Sequence, residues 1–189
     1  MDKILYINSC VREKSRTNEL AHYLLKKLNS DYKEIKLDEE DIKPMDSRLL
    51  KIRDELRANK NYSDDMFKYA NDFKNANIIV ISSPYWDLSF SALLKIYFEN
   101  INIGGLTFGY NEVGKPKTLS NIKKVYYVTT AGGYIISDDY GFGYVKAMFN
   151  TFFEVFDIDY IKAEGLDIIG SDVDKIIEKA KMEIDNLFW

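Results

Sequence analysis

Short apolar runs alternate along this chain with longer stretches in which apolar residues recur every three or four positions. Ile4-Leu5-Tyr6-Ile7, Ile78-Ile79-Val80-Ile81 and Val125-Tyr126-Tyr127-Val128-Thr129 are near-continuous and read as strands buried on both faces. Glu34-Ile35-Lys36-Leu37 is a weaker strand, and a further one falls around residues 159–163. Between them, Leu20, Ala21, Leu24, Leu25 and Leu28 share one helical face, in a helix that starts near Ser15 or Thr17. Residues 46–59 and 62–75 read as helical, the second with Met66, Tyr69, Ala70 and Phe73 inward. Further helices are predicted from Phe90 to Ile103, from about Tyr144 to Phe156, and through Val173, Ile176, Ile177, Ala180, Ile184 and Leu187. Gly104-Gly105 stops the helix that begins at Phe90, and the polar stretch to Ser120 reads as a hairpin-like excursion.

Strands that alternate with helices predict an α/β fold with a mostly parallel sheet. Five strands suit a doubly wound sheet of order 2-1-3-4-5, with helices on both faces, better than a six-stranded dinucleotide fold. With 189 residues, no repeat and no low-complexity linker, one domain over 1–189 is expected. In such sheets ligands sit at the carboxyl ends of the strands. That draws attention to the third strand, which runs into Ser82-Ser83-Pro84-Tyr85-Trp86-Asp87-Leu88-Ser89. Two adjacent aromatics there offer flat surfaces and backbone donors to a planar ligand.

Composition narrows the options. Apolar residues make up 46%, with 14 Tyr and 11 Phe, which excludes a disordered chain. A formal charge of −4 leaves no electrostatic footprint for nucleic acid. Apolar runs are far too short for a membrane span. Asp2 and Lys3 lead straight into a strand, so no signal peptide is expected and the cytoplasm is the inferred location. Cys10 is the single cysteine and His22 the single histidine, so an intramolecular disulfide, a multi-cysteine site and a two-His metal site cannot be built. His22 lies beside the apolar stripe of the first helix, as a surface or boundary residue, which disfavours a Ser-His-Asp or Cys-His set. Neither a Gly-x-Gly-x-x-Gly after the first strand nor a Walker-type Gly-Lys-Ser/Thr is present.

What remains is hydroxyls around a helix start. Ser9, Arg12, Ser15, Arg16 and Thr17 precede or open the first helix, where free N–H groups and the helix dipole favour an anion. An ordinary capping loop with two solvated arginines is the alternative reading. Pro84 to Leu88 and Thr130-Ala131-Gly132-Gly133 follow the third and fourth strands, which this order puts next to the first. Gly132-Gly133 allows backbone to approach a ligand closely, although alone it reads as a turn. Three loops at one edge suit a phosphate joined to a flat ring, the shape of FMN.

These segments resemble the FMN-dependent NAD(P)H:quinone oxidoreductases and azoreductases of the flavodoxin-like superfamily, over nearly the whole chain. The carriers are Cys10-x-Arg12-x-x-Ser15-Arg16-Thr17, Ser83-Pro84-Tyr85-Trp86-Asp87-Leu88 with Leu94-Lys95-x-Tyr97-Phe98-Glu99, and Thr130-Ala131-Gly132-Gly133. Gly105-Leu106-Thr107-Phe108-Gly109-Tyr110 is similar to the family's insertion. The resemblance implies that Ser15, Arg16, Thr17 and the backbone near Cys10 hold the FMN phosphate, that Pro84 to Leu88 line the isoalloxazine, and that Thr130 to Gly133 reach its pyrimidine edge. It implies a homodimer, NADH or NADPH as donor, and two-electron ping-pong reduction of quinone, azo or nitro compounds. The flavin then carries the chemistry, no side-chain acid or base is required, and Tyr85, Trp86 and Phe108 are candidates for shaping the acceptor pocket. A flavodoxin-type single-electron carrier and a cofactor-less binding module of the same fold are the alternatives. Three segments depart from the family pattern. Tyr85-Trp86-Asp87-Leu88 stands where Met-Tyr-Asn-Phe is frequent, Ala131 where Arg is common, and Cys10 where Ser is common. An acid at Asp87 disfavours the anionic reduced flavin unless only its backbone faces the ring.

Overall fold

A computed structural model describes residues 2–188; Met1 and Trp189, the ends of the expected 1–189 domain, lie outside the described residues. In chain order it runs β1 (Ile4–Asn8), α1 (Arg16–Leu28), β2 (Tyr32–Lys36), α2 (Ser47–Ala58), α3 (Lys68–Asn75), β3 (Ile78–Ser82), α4 (Ala92–Ile101), β4 (Phe108–Tyr110), β5 (Pro116–Thr118), β6 (Lys124–Thr130), α5 (Phe142–Met148), β7 (Ile158–Ala163) and α6 (Val173–Asn186).

Five of the strands form one parallel sheet in the order β2-β1-β3-β6-β7, the 2-1-3-4-5 order expected from the pattern once the β4-β5 hairpin is set aside. Its registers align the strand starts: Ile4 pairs with both Tyr32 and Ile78, Ile78 with Lys124, and Val125 with Ile158. Alternate residues of β1, β3 and β6 serve opposite cores. Leu5, Ile7, Ile79, Ile81, Val125 and Tyr127 pack with Tyr69, Phe73, Leu94, Tyr97, Phe98 and Phe149 from α3, α4 and the α5 segment. Ile4, Tyr6, Val80, Tyr126 and Val128 pack with Leu20, Leu24, Ile177 and Ile184 from α1 and α6. Burying each large aliphatic side chain contributes about 1.5–3 kcal/mol, so strands apolar at every position hold helices on both faces.

Helix ends refine the sequence reading. Ser15, not Thr17, is the N-cap of α1, its Oγ accepting from the Asn18 N–H at 3.2 Å. Asn29 ends that helix in the left-handed conformation at φ 46°. Within the helical stretch expected over 62–75, residues 65–67 form a 3-10 turn and only Lys68–Asn75 are α-helical. α2 buries no residue, and its Leu50 and Ile52 are exposed. α5 begins at Phe142 rather than Tyr144, because the Phe142 ring stacks on Tyr160 at 4.2 Å and holds the first turn to β7. It then widens into a π-helical turn, Phe149–Phe153, which lets both Phe149 and Phe153 reach Phe73, at 5.8 and 4.8 Å. No helix among the described residues is long and apolar enough to cross a membrane.

Candidate functional site

At the carboxyl ends of β1, β3, β6 and β7 the connecting loops enclose a cleft of about 340 Å³. Its lining joins three segments far apart in sequence: Cys10–Arg12 with Lys14–Thr17, Pro84–Trp86, and Thr130–Gly132. The β7 loop adds Leu166 and Asp167. This is the crevice in which a doubly wound sheet binds ligands, beside the strand where the winding reverses.

The first loop is held from beneath by a buried polar network. Tyr6 Oη donates to Asn18 Oδ1 at 2.6 Å and lies 2.7 Å from Ser82 Oγ. The Asn8 side chain accepts from the Cys10 N–H at 3.0 Å and donates to Glu34 Oε1 at 2.9 Å. Ser9 is buried under the cleft, its N–H and Oγ both donating to the Ser82 carbonyl, at 2.9 and 3.0 Å. The backbone from β1 to the N-terminus of α1 is thereby tied to the end of β3. Three cations, Arg12, Lys14 and Arg16, line the cleft around that helix start. Arg12 and Lys14 have no carboxylate within salt-bridge distance among the described residues, and Arg16 pairs with Asp167 at 2.8 Å. Cys10 is buried and its thiol is pushed up from the ordinary range by loss of hydration, opposed by hydrogen bonding to Ser15, Ser82 and Thr17. It is a protonated thiol at neutral pH.

Loop two is a tight reversal. Trp86 and Ser89 exchange both backbone hydrogen bonds at 2.8 Å, and the two residues between them, Asp87 and Leu88, stand at φ 51° and 69°. A two-residue turn with positive φ at both central positions normally selects Asn, Asp or Gly. Asp87 fits that preference; a leucine there costs about 1–2 kcal/mol. The reversal is anchored from outside by Ser89 Oγ donating to the Tyr140 carbonyl at 2.6 Å, and by the Tyr85 hydroxyl donating to the Ser137 carbonyl at 3.3 Å. Tyr85 N–H donates to Thr130 O at 3.0 Å, which joins this loop to the next.

The third wall is built by β6 and β7 together. Thr130 Oγ1 lies 2.6 Å from Thr17 Oγ1, a clamp between the end of β6 and the first turn of α1. Leu166 and Asp167 N–H groups donate to the carbonyls of Ala131 and Gly132 at 3.2 and 2.8 Å. Asp167 thus sits directly over Gly132. A Cβ on Gly132 would collide with the Asp167 carboxylate oxygen and lie 3.1 Å from its Cγ, so a side chain there would push the Asp167 carboxylate aside.

Of the expected site residues, Cys10, Arg12, Ser15, Arg16, Thr17, Pro84, Tyr85, Trp86, Thr130, Ala131 and Gly132 line the cleft. Ser9 lies beneath it, and Asp87, Leu88 and Gly133 are exposed outside the lining. Phe108, a candidate for the acceptor pocket, does not line this cleft. It is 8% exposed in the core of this chain, packed on Phe152 at 4.8 Å and Tyr110 at 5.7 Å, because the β4-β5 hairpin folds back onto the π-helical turn. Val11, Lys14, Leu166 and Asp167 were not singled out from the sequence. The signal for the last two is Glu164-Gly165 directly after β7, a strand end next to β6, with Gly165 at φ 77°. His22 is exposed and meets Tyr6 edge-on at 5.8 Å. Among the described residues no three His, Cys, Asp or Glu side chains are grouped to hold a metal ion.

Comparison with known proteins agrees with this geometry. The model of one family, described as the flavodoxin-like fold, matches residues 2–188. A protein of Coprothermobacter proteolyticus named FMN-dependent NADH:quinone oxidoreductase is 34% identical, over 99% of this chain and 98% of its own length. A Clostridium beijerinckii protein of the same name is 35% identical, over 95% and 94%. Among solved structures, an azoreductase from Bacillus anthracis superposes with a TM-score of 0.85 at 21% identity, over 99% of this chain and 98% of the other. A second Bacillus anthracis structure, an FMN-dependent NADH-azoreductase in complex with FMN, has a TM-score of 0.80 at 23% identity, over 99% of both chains. Sheet order, cleft position and full-length sequence identity converge: this chain belongs to the flavodoxin-like family that includes the FMN-dependent NADH:quinone oxidoreductases.

Proposed function

We propose that this chain is an FMN-dependent NAD(P)H oxidoreductase that reduces quinones and azo or nitroaromatic compounds. One observation carries the reading. A single cleft combines a helix N-terminus beside two cations that have no carboxylate partner among the described residues with a wall formed by Tyr85 and Trp86. The donor set fits the two halves of FMN. Arg12, Lys14, Arg16, Ser15, Thr17 and the first N–H groups of α1 match a phosphate. Pro84 to Leu88 match a flat ring, and Gly132 leaves its backbone open beside the pyrimidine end. The relatives' names, which specify FMN, NADH and quinone, support the same assignment.

Bound flavin supplies reversible hydride and electron chemistry, so the protein needs no general acid or base of its own. The chain's residues orient the cofactor and exclude water from one face. Ser15, Thr17 and the α1 N-terminus grip the phosphate, with Ser9 and Cys10 contributing through the backbone that Asn8 and Ser82 hold in place. Pro84 to Trp86 would line the ring, and the Trp86–Ser89 reversal that follows would bring the backbone of the exposed Asp87 and Leu88 towards it. Thr130 to Gly133 meet its pyrimidine edge. With flavin bound, donor and acceptor would take turns at the open side of the cleft, a ping-pong order, and Tyr85 and Trp86 would shape the acceptor's surroundings. The relatives are named for NADH, and NADH is the donor to try first. Trp86, Leu88, Tyr134, Ile136 and Tyr140 leave an exposed apolar and aromatic rim around the cleft, which supports a homodimer with its two sites at the interface. The chain works in the cytoplasm, where reduced nicotinamides are available.

The test is the visible spectrum of the purified protein, before and after FMN, then with NADH and NADPH under anaerobic conditions. Flavin bands that bleach with a nicotinamide and return with a quinone are expected. Bands that do not bleach point to a single-electron carrier. No uptake of FMN refutes the assignment and leaves a binding module.

A further inference from the structure

The ion pair between Arg16 and Asp167 spans the mouth of the cleft, from the first residue of α1 to the loop after β7, 151 positions apart. Both side chains line the cleft and both are substantially exposed. Asp167 is not free to swing away at its base. Its N–H is bonded to Gly132 O at 2.8 Å, and its carboxylate rests over Gly132 in space that a methyl group there would occupy. The same cleft end holds Arg12 and Lys14 without carboxylate partners among the described residues. Of the three cations at the helix start, only Arg16 is neutralised by a carboxylate, and the acid responsible is built into the adjoining wall.

We propose that Asp167 is a specificity-determining residue that opposes phosphate at the α1 end of the cleft, competing with the phosphate for Arg16. This rests on the FMN reading above and extends it to a residue which that reading does not use. Seating a phosphate near Arg16 brings a doubly charged anion close to a carboxylate whose backbone is anchored to Gly132. The guanidinium must then either leave Asp167 or be shared between two anions. Either way, Asp167 weakens binding through the phosphate and leaves contacts to the ring unchanged. It sets how easily the cofactor leaves, in a chain whose sibling cations are poised to hold it.

Riboflavin and FMN share a ring and differ by the phosphate, so their titration into the apoprotein, followed by flavin fluorescence, isolates the effect. Asp167→Asn keeps shape and removes charge, and a screened single charge at this range predicts about three- to tenfold tighter FMN binding. Riboflavin affinity stays the same. The advantage shrinks as salt rises from about 0.05 to about 0.5 M. Asp139→Asn, at an exposed acid bonded to Ser137, outside the cleft lining and not paired with Arg16, leaves both affinities unchanged. Weaker FMN binding in Asp167→Asn overturns the proposal, since Asp167 would then be holding Arg16 in a productive pose. Equal changes for FMN and riboflavin also overturn it, because packing over Gly132 would be responsible. If the wild-type protein takes up no FMN, the flavin reading fails and inorganic phosphate decides the matter separately. Phosphate raising the melting temperature of Asp167→Asn more than that of wild type upholds the role of Asp167, and equal shifts refute it.

Discussion

Two buried tyrosines allow the polar network under the first loop to be weighed against simple burial. Tyr6 is fully buried in β1, with its hydroxyl between Asn18 Oδ1 at 2.6 Å and Ser82 Oγ at 2.7 Å. Tyr97 is fully buried in α4, and its hydroxyl has no partner among the described residues. Tyr→Phe removes one oxygen and almost no volume at either site, so ring packing is the same in both variants. At Tyr6 the change deletes two short hydrogen bonds. Asn18 Oδ1 keeps only a 3.3 Å contact from Asn8, and Ser82 Oγ retreats to Asn8 Oδ1, also at 3.3 Å. With about 1 kcal/mol net per bond, and more where a buried group is left poorly paired, Tyr6→Phe costs about 1–3 kcal/mol. For a chain of this size that lowers Tm by roughly 2–12 °C. At Tyr97 nothing is lost but a desolvated hydroxyl, so Tyr97→Phe leaves stability unchanged or raises it by up to about 2 kcal/mol. Urea unfolding of the flavin-free proteins, followed by circular dichroism, reads both effects as shifts in midpoint at constant slope. Equal losses in the two variants would refute the reasoning, because they would mean that the rings and not the hydroxyl network determine stability.

Three further outcomes are expected. Leu88→Asn, which relieves a leucine held at φ 69° with nearly half its surface exposed, stabilises the protein by about 0.5–1 kcal/mol in the same unfolding assay; a loss of stability would show that the Leu88 side chain packs usefully. Thr17→Val breaks the 2.6 Å clamp to Thr130, costs about 1 kcal/mol of stability, and weakens FMN binding about tenfold by equilibrium titration; unchanged binding would remove Thr17 from the site. Stability falls as pH rises above about 9, because burial raises Cys10, and then Tyr6 and Tyr127, above their ordinary values in the folded chain. Between the unfolded and folded values the unfolded chain binds fewer protons, so the slope of stability with pH is negative there and flat near neutrality. Cys10→Ala moves the onset from about 9 towards the tyrosine range near 10, and an unshifted onset would show that the thiol does not contribute.

The layered fold was legible in the sequence because its three central strands, β1, β3 and β6, are buried at nearly every position. Only burial on both faces accommodates such runs as Ile78-Ile79-Val80-Ile81. Alternating helices then leave a doubly wound sheet, whose binding crevice follows from strand order alone. Ser15, Thr17, Tyr85, Trp86 and Gly132 are legible as cleft residues from the sequence, since each belongs to a loop directly after a strand or to a helix N-terminus. What lay beyond the pattern depends on partners distant along the chain. Asp167 looks like any surface acid until β7 aligns beside β6 and sets it over Gly132, opposite Arg16. Phe108 carries the same apolar signal whether it faces a ligand or a core, and only the hairpin's return onto Phe152 decided between them. Leu88 at positive φ runs against local preference and is held there by bonds from Trp86 to Ser89 and from Ser89 to Tyr140. Periodicity reports which side of an element is buried; tertiary packing alone decides what it is buried against, and so where a charge or a strained turn ends up.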